Sequence, residues 1–151
     1  MELEGNIALG ALLVIAAIAS WTDIRSRILP NWLVIVTFVS GLGFAIWSAG
    51  FEGSLYHLLH ALAALVIGFA LFGLKVWGAG DGKFFAAIAV WFPIDNMLAV
   101  ILAITAVGFV VAVIDIVRNW GSLLSKSLAG IPYGVAIGLG AVLHQSRGYL
   151  F

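Results

Sequence analysis

Long apolar runs cover nearly the whole chain, and five short polar interruptions separate them. The interruptions read TDIRSRILPN, SAGFEGS, LKVWGAGDGK, FPIDN and RNWGSLLSKS. Each run is continuous rather than alternating, which predicts helices and not barrel strands, because backbone polar groups in lipid must be paired internally. With 64% hydrophobic and 9% charged residues, the chain is far more apolar than a soluble domain. We therefore interpret it as an integral membrane protein.

The five interruptions divide the chain into six predicted helices. Their approximate spans are 6–22, 31–48, 55–75, 83–95, 97–118 and 132–147. No polar stretch is long enough to form a separate water-soluble core, so residues 1–151 are expected to form a single integral-membrane domain. The predicted fold is all-α, a polytopic six-transmembrane-helix bundle with glycine-rich breaks.

Basic residues predict the orientation in the membrane, because loops rich in lysine and arginine remain in the cytoplasm. Six basic residues fall on the first, third and fifth predicted loops: Arg25, Arg27, Lys75, Lys83, Arg118 and Lys126. Only Arg147 falls on the opposite side. We expect the amino terminus to lie outside and these three loops to lie in the cytoplasm.

The stretch WGAGDGK places Asp81 among glycines, just before a short predicted helix. Only about a dozen residues separate Asp81 from Pro93, or roughly 18 Å of helix, whereas a bilayer core needs about 20 residues. Asp81 is therefore expected to lie below the headgroups, with an irregular glycine-rich backbone around it. The last predicted helix is also short and contains three glycines that we expect to interrupt it: Gly134, Gly138 and Gly140.

The predicted topology separates the seven acidic residues. Four fall on the outer side: Glu2, Glu4, Glu52 and Asp95. Asp115 can pair with Arg118, one helical turn later. Asp23 and Asp81 remain, both at the cytoplasmic face. Two carboxylates that approach within a few ångströms share a proton, and such a pair can activate water for peptide hydrolysis.

Structural roles also fit these two aspartates. Asp23 can pair with Arg25 or Arg27, or cap the turn after the first helix. Asp81 can cap the fourth predicted helix or pair with Lys83. The spacing alone indicates a possible aspartyl dyad and leaves these alternatives open.

Other chemistries have little support in the sequence. The chain has no cysteine, which excludes disulfides and thiolate sites, and it lacks the motifs of serine hydrolases, nucleotide-binding loops and zinc proteases. His57 and His60 share a helical face at the outer end, but no third ligand is evident, so we predict an interfacial pair and no metal site. No cofactor is predicted. A formal net charge of zero argues against a nucleic-acid partner.

Three separated motifs together resemble one family. The first, DIRSRILPN, runs from Asp23 to Asn31, and the second, GAGDGK, runs from Gly78 to Lys83. The third, IPYGVAI, begins at Ile131 and is followed by Gly140 and Ala141. Together they resemble the type IV prepilin peptidases, which are membrane-embedded aspartic proteases of the Gly-x-Gly-Asp class.

The resemblance implies an endopeptidase that removes the leader peptide of type IV prepilins or pseudopilins, just before their hydrophobic helix. Asp23 and Asp81 would be its catalytic acids. Residues that would shape the site or meet the substrate are Asn31, Gly78, Gly80, Lys83, Pro132, Tyr133 and Gly134. The implied partners are the prepilin helix and the lipid bilayer. The implied location is the bacterial inner (cytoplasmic) membrane, with the active site at the cytoplasmic face.

The chain departs from the longer members of that family. It lacks their cysteine-containing amino-terminal insertion, so no N-methyltransferase activity is expected. Its size and the form IPYGVAI look more like the short peptidases of Tad/Flp pilus systems. Cleavage beside an apolar helix requires a lipid-facing groove, expected between the helices that carry the two aspartates. A small proton- or ion-coupled transporter and a noncatalytic pilus-assembly protein are the alternatives.

Overall fold

Helices make up almost all of the backbone in the computed structural model, which describes residues 2–118 and 132–150. The α-helices are α1 (Glu2–Ser26), α2 (Asn31–Gly73), α3 (Ala79–Ala89), α4 (Met97–Arg118) and α5 (Tyr133–Leu150). A short 3₁₀ turn, Ile94–Asn96, precedes α4. These two described ranges contain no strand. The all-helical prediction is therefore confirmed.

The predicted number of six helices is not confirmed, because the described ranges contain five α-helices. The difference lies in α2, whose 43 residues cover two of the predicted spans. Only Gly50 departs from helical geometry, with φ 70° and ψ 179°, a conformation that glycine adopts without a Cβ clash. Val34 and Phe38 line the same groove as Leu62 and Leu65, so α2 folds back on itself at Gly50. We call residues 31–49 the first arm and residues 51–73 the second arm.

Three helical segments in the described part of the chain are long and apolar enough to cross a membrane. They are Leu3–Ser26, Asn31–Gly73 and Ile94–Val117. Helix α3 has only 11 residues, or about 16 Å of length, against a hydrocarbon core of about 30 Å. The protein is thus a membrane protein in which one short helix lies among longer ones.

Helix α3 and the turn after it form the most buried part of the bundle. Phe84, Ile88 and Val90 are fully buried. The last carbonyl groups of a helix have no partner within it. Here the ring Nδ1 of His57 donates to the Val90 carbonyl oxygen at 2.9 Å, and Nδ1 of His60 donates to that of Phe92 at 3.0 Å. The two histidines are buried within the protein, and their predicted position at the membrane interface stays a prediction.

Glycines and alanines let the helices approach closely. A Cβ atom on Gly68 of α2 would lie 2.7 Å from the Cα atom of Gly82 in α3. A Cβ on Gly138 of α5 would lie 3.0 Å from the Cα of Ala16 in α1, and Gly140 has a similar contact with α4. Helix α5 is continuous, so the predicted interruptions at its glycines are wrong. These glycines serve close packing, which is a common use of small residues between membrane helices.

We predict that Gly68→Ala destabilises the protein by about 1–3 kcal/mol, because its new methyl group would overlap the backbone of Gly82. Gly43→Ala, in the first arm of the same helix, is the matched control, since a Cβ there meets nothing within 4 Å. The control is expected to be neutral or stabilising by up to about 1 kcal/mol. Unfolding in a titration with SDS measures both effects. Equal unfolding midpoints for the two variants would contradict the close α2–α3 contact.

Candidate active site

The end of α1, the end of α2 and the beginnings of α3 and α5 surround a cavity of about 720 Å³. We call it the aspartate cavity, because both Asp23 and Asp81 line it. Its other lining residues are Arg27, Ile28, Leu29, Pro30, Asn31, Phe72, Lys75, Val76, Trp77, Gly78, Ala79, Gly80, Lys83 and Tyr133. The two aspartates that the sequence singled out therefore reach one site from two different helices.

Asp23 lies in the last turn of α1 and is only 5% exposed. Its Oδ2 atom accepts a hydrogen bond of 2.7 Å from the backbone N–H of Gly134, in the first turn of α5. The amides of a first helical turn have no partner within the helix and carry partial positive charge, so they hold a carboxylate well. A Cβ on Gly134 would lie 2.9 Å from this oxygen and 3.0 Å from Leu29, so the contact requires glycine.

Asp81 lies inside the first turn of α3, which begins at Ala79. The prediction that Asp81 precedes its helix is therefore wrong. Its Oδ2 atom accepts a hydrogen bond of 2.9 Å from the backbone N–H of Gly78, the residue that caps the helix. Gly78 has an extended backbone with φ −73°, which other residues also adopt. The irregular glycine backbone expected around Asp81 is not present, because Gly80 and Gly82 are helical.

The pKa of Asp81 is raised from 3.8 to about 6. Burial is the largest cause, and the negative charge of Asp23 also contributes to the rise. The hydrogen bond from Gly78 opposes the shift without cancelling it. Asp81 lies in α3, outside the three long membrane-spanning segments. The repulsion from Asp23 means that the two carboxyl groups interact electrostatically across the cavity. Asp81 therefore holds its proton to higher pH than an isolated aspartate does.

Three basic residues also line the aspartate cavity: Arg27, Lys75 and Lys83. Arg27 and Lys75 have positive φ angles of 54° and 60°, and each follows the end of a helix. Glycine usually occupies such left-handed positions, and a residue with a Cβ costs about 1–2 kcal/mol more there. The two residues follow the carboxyl ends of α1 and α2, where positive charge is favourable. From the sequence, Lys75 was expected only to mark a cytoplasmic loop, and Arg27 also to be a possible partner of Asp23.

Most of the other predicted site residues line the same cavity as the two aspartates. Asn31, Gly78, Gly80, Lys83 and Tyr133 line the aspartate cavity. Pro132 does not line it but caps the start of α5, where its carbonyl oxygen accepts the N–H of Val135 at 3.2 Å.

Aromatic residues close one side of this cavity. The ring of Tyr133 lies 5.9 Å from that of Trp77, which makes an edge contact with Phe85 at 5.5 Å. Sequence reasoning missed Leu29, Phe72 and Trp77 as lining residues. Leu29 and Trp77 stand within or beside the two aspartate motifs, which was the available indication.

The described residues include no group of three or more histidines or acids placed to hold a metal ion. The predicted pairing of Asp115 with Arg118 involves a side chain outside the described part of the chain.

We predict that Asp81→Asn stabilises the folded protein at about pH 8 and loses this advantage at about pH 4. The folded-state pKa of about 6 lies above the ordinary 3.8, so ionisation of Asp81 costs folding free energy as pH rises through this interval. Asparagine cannot ionise, yet it keeps an oxygen that can accept the Gly78 N–H. SDS unfolding at the two pH values measures the difference. A variant that is less stable than the parent at the higher pH would contradict the raised pKa.

Comparison with protein families identifies a match for this chain. Residues 10–116 match the type IV leader peptidase family, and the matched region contains both Asp23 and Asp81. No curated protein and no solved structure matches the chain. Because the family match covers more than half of the sequence, the chain belongs to the type IV leader peptidase family.

Proposed function

We propose that this protein is an aspartic endopeptidase of the membrane that removes leader peptides from type IV prepilins. Residues 1–151 would form its single integral-membrane peptidase domain. The family supports a protease that acts on prepilins, and the geometry supports the aspartic type. The observation that carries the proposal is that Asp23 and Asp81 line one cavity and that the charge of Asp23 raises the pKa of Asp81.

The proposed reaction is hydrolysis by water held between the two carboxyl groups. One carboxylate takes a proton from water while the oxygen attacks the scissile carbonyl carbon, and the protonated partner donates its proton to the carbonyl oxygen. The first carboxyl group then gives the proton it took from water to the leaving nitrogen as the C–N bond breaks. A hydroxyl proton of the intermediate returns to the second carboxylate, which restores the pair. The two groups titrate as a pair, so neither aspartate is assigned a fixed acid or base role.

Both aspartates also accept hydrogen bonds from backbone amides. That of Asp81 fits its capping alternative, whereas Asp23 accepts the N–H of Gly134 in α5 and not one in the turn after α1. Each of these hydrogen bonds uses the Oδ2 atom, which fixes the orientation of the carboxyl group. In the proposed enzyme this orients the pair toward its water. A purely structural role for each acid would not require both to line one cavity, where their charges repel each other.

We further propose that the aspartate cavity opens at the cytoplasmic face. Arg27, Lys75 and Lys83 line the cavity, whereas Arg147 lies in the last turn of α5. Helix α5 begins beside Asp23 and extends 18 residues away from it, about 27 Å of helix. The positive-inside rule therefore supports a cytoplasmic active site and an amino terminus outside the inner (cytoplasmic) membrane of a bacterium.

The proposed substrates are prepilins or pseudopilins of Flp type, on the resemblance to the short Tad/Flp peptidases. No N-methyltransferase activity, cofactor or nucleic-acid partner is included in the proposal. Gly134 and Gly78 would hold the aspartates, and Pro132 would start the helix that carries Gly134. Asn31, Gly80, Lys83 and Tyr133 would shape the cavity around the peptide.

We predict that Asp23→Asn and Asp81→Asn each lower leader removal by about 10²-fold or more, because each removes one partner of the acid–base pair. Asp95→Asn is the matched control, since Asp95 is exposed in the 3₁₀ turn and does not line the cavity. Cleavage of a Flp-type prepilin in liposomes, followed by the gel shift of the shortened product, measures the rates. SDS unfolding of each variant verifies that it is folded.

Retained cleavage by either aspartate variant would contradict the dyad. If the parent and the Asp95→Asn control cleave none of several prepilins, the transporter or assembly-protein alternatives are favoured instead.

A further inference from the structure

A second cavity, of about 430 Å³, opens on the flank of the bundle between the two arms of α2 and helix α3. We call it the apolar groove. Three buried alanines form its floor: Ala61, Ala86 and Ala87. The first arm contributes Val34, Ile35, Phe38 and Val39 to its walls, and the second arm contributes Leu58, Leu62 and Leu65. An apolar groove with a floor of small residues lets another helix approach closely inside a membrane.

Much of the wall is open to the surroundings of the protein. Ile35 is 61% exposed and Leu62 is 59% exposed, so the groove is accessible from the lipid. An α-helix with its side chains is about 10–12 Å wide. A helix lying along the open groove would turn one face to its walls, while the opposite face would remain in lipid.

Lys83 lines both the apolar groove and the aspartate cavity, so the two lie next to each other at this residue. Its long apolar stem can lie along the groove while its ammonium group remains in the polar cavity. Ala86 follows Asp81 by five residues of α3, which is about 7.5 Å along the helix axis. A peptide held beside Asp81 would therefore reach the groove after roughly one or two helical turns.

We propose that the apolar groove binds the hydrophobic helix of the substrate, in the turns that follow the scissile bond. This inference rests on the proposed function. The polar leader would occupy the aspartate cavity, and the apolar helix would leave it past Lys83 and lie between the arms of α2. A lipid acyl chain also matches the apolar walls, but only a peptide cut beside Asp81 accounts for a groove that adjoins the aspartate cavity at Lys83.

The groove differs in position from the one expected from the sequence. That expectation placed the substrate between the helices that carry the two aspartates, which are α1 and α3. Helix α3 does contribute Ala86 and Ala87 to the floor, but both walls come from α2. The exit path of the substrate helix would therefore depend on the bend at Gly50, which brings the two arms together.

The absence of cysteine from the chain permits a direct test by disulfide cross-linking. Ile35→Cys and Leu62→Cys place a thiol on each wall of the groove, in protein that also carries Asp81→Asn to prevent turnover. Val36→Cys and Leu59→Cys are the matched controls, since these neighbours are 51% exposed and do not line the groove. The probe is a Flp-type prepilin with one cysteine, placed in turn at successive positions of the first helical turns after its cleavage site.

We expect cross-links at Ile35→Cys and Leu62→Cys at least 10-fold above those at the two control positions, with a helical periodicity along the probe. Equal cross-linking at all four positions, or cross-linking at the controls alone, would overturn the groove assignment. Cleavage of the probe by the unsubstituted protein is the separate readout. Cleavage without cross-links in the groove would overturn the groove alone, whereas absence of both would overturn the proposed function.

Discussion

The short helix α3 ends in the buried core of the bundle, where the backbone carbonyl groups need partners. An unpaired backbone group in an apolar environment costs several kcal/mol, on the order of the whole net stability of a small protein. At its beginning, Asp81 accepts the N–H of Gly78. At its other end, His57 and His60 donate to the carbonyl groups of Val90 and Phe92. These polar contacts fix the position of Asp81 in the membrane protein.

The candidate site follows from this arrangement and from one contact between distant parts of the chain. The N–H of Gly134 holds Asp23 at the start of α5, as the N–H of Gly78 holds Asp81 at the start of α3. Helix beginnings favour negative charge, so each carboxylate is stabilised by the amides that orient it. Bringing the two together in one cavity opposes this stabilisation, because burial and like charge favour the protonated form. A pair of acids that keeps a shared proton is the condition for aspartic hydrolysis.

Much of the fold could be predicted from the sequence, because continuous apolar runs in a chain of this composition permit only helices. The sequence did not indicate that the break at SAGFEGS is a single glycine at which one helical element bends. It also did not indicate that α3 begins at Ala79, because the glycines there have low helix propensity. The close packing of Gly82 on Gly68 outweighs that low propensity. Local patterns do not contain such tertiary contacts.

The same distinction applies to the site. The two aspartates could be selected by elimination and by motif, and both line the same cavity. The partner of Asp23 could not be predicted, because Gly134 is 111 residues away in sequence. The buried roles of His57 and His60 depend on carbonyl groups more than 30 residues away. Sequence spacing shows which residues share a helical face. The hydrogen-bond partners of those residues depend on the folded structure.

Infrared titration of the Asp81 carboxyl group, in the parent protein and in Asp23→Asn, would test most directly whether the two acids form one interacting pair. The band of the protonated carboxyl group should disappear with a midpoint of about 6 in the parent. In Asp23→Asn the midpoint should fall, because the repelling charge is gone, yet remain above 3.8, because burial is the larger cause of the shift. A midpoint unchanged by Asp23→Asn would contradict the interaction between the two acids.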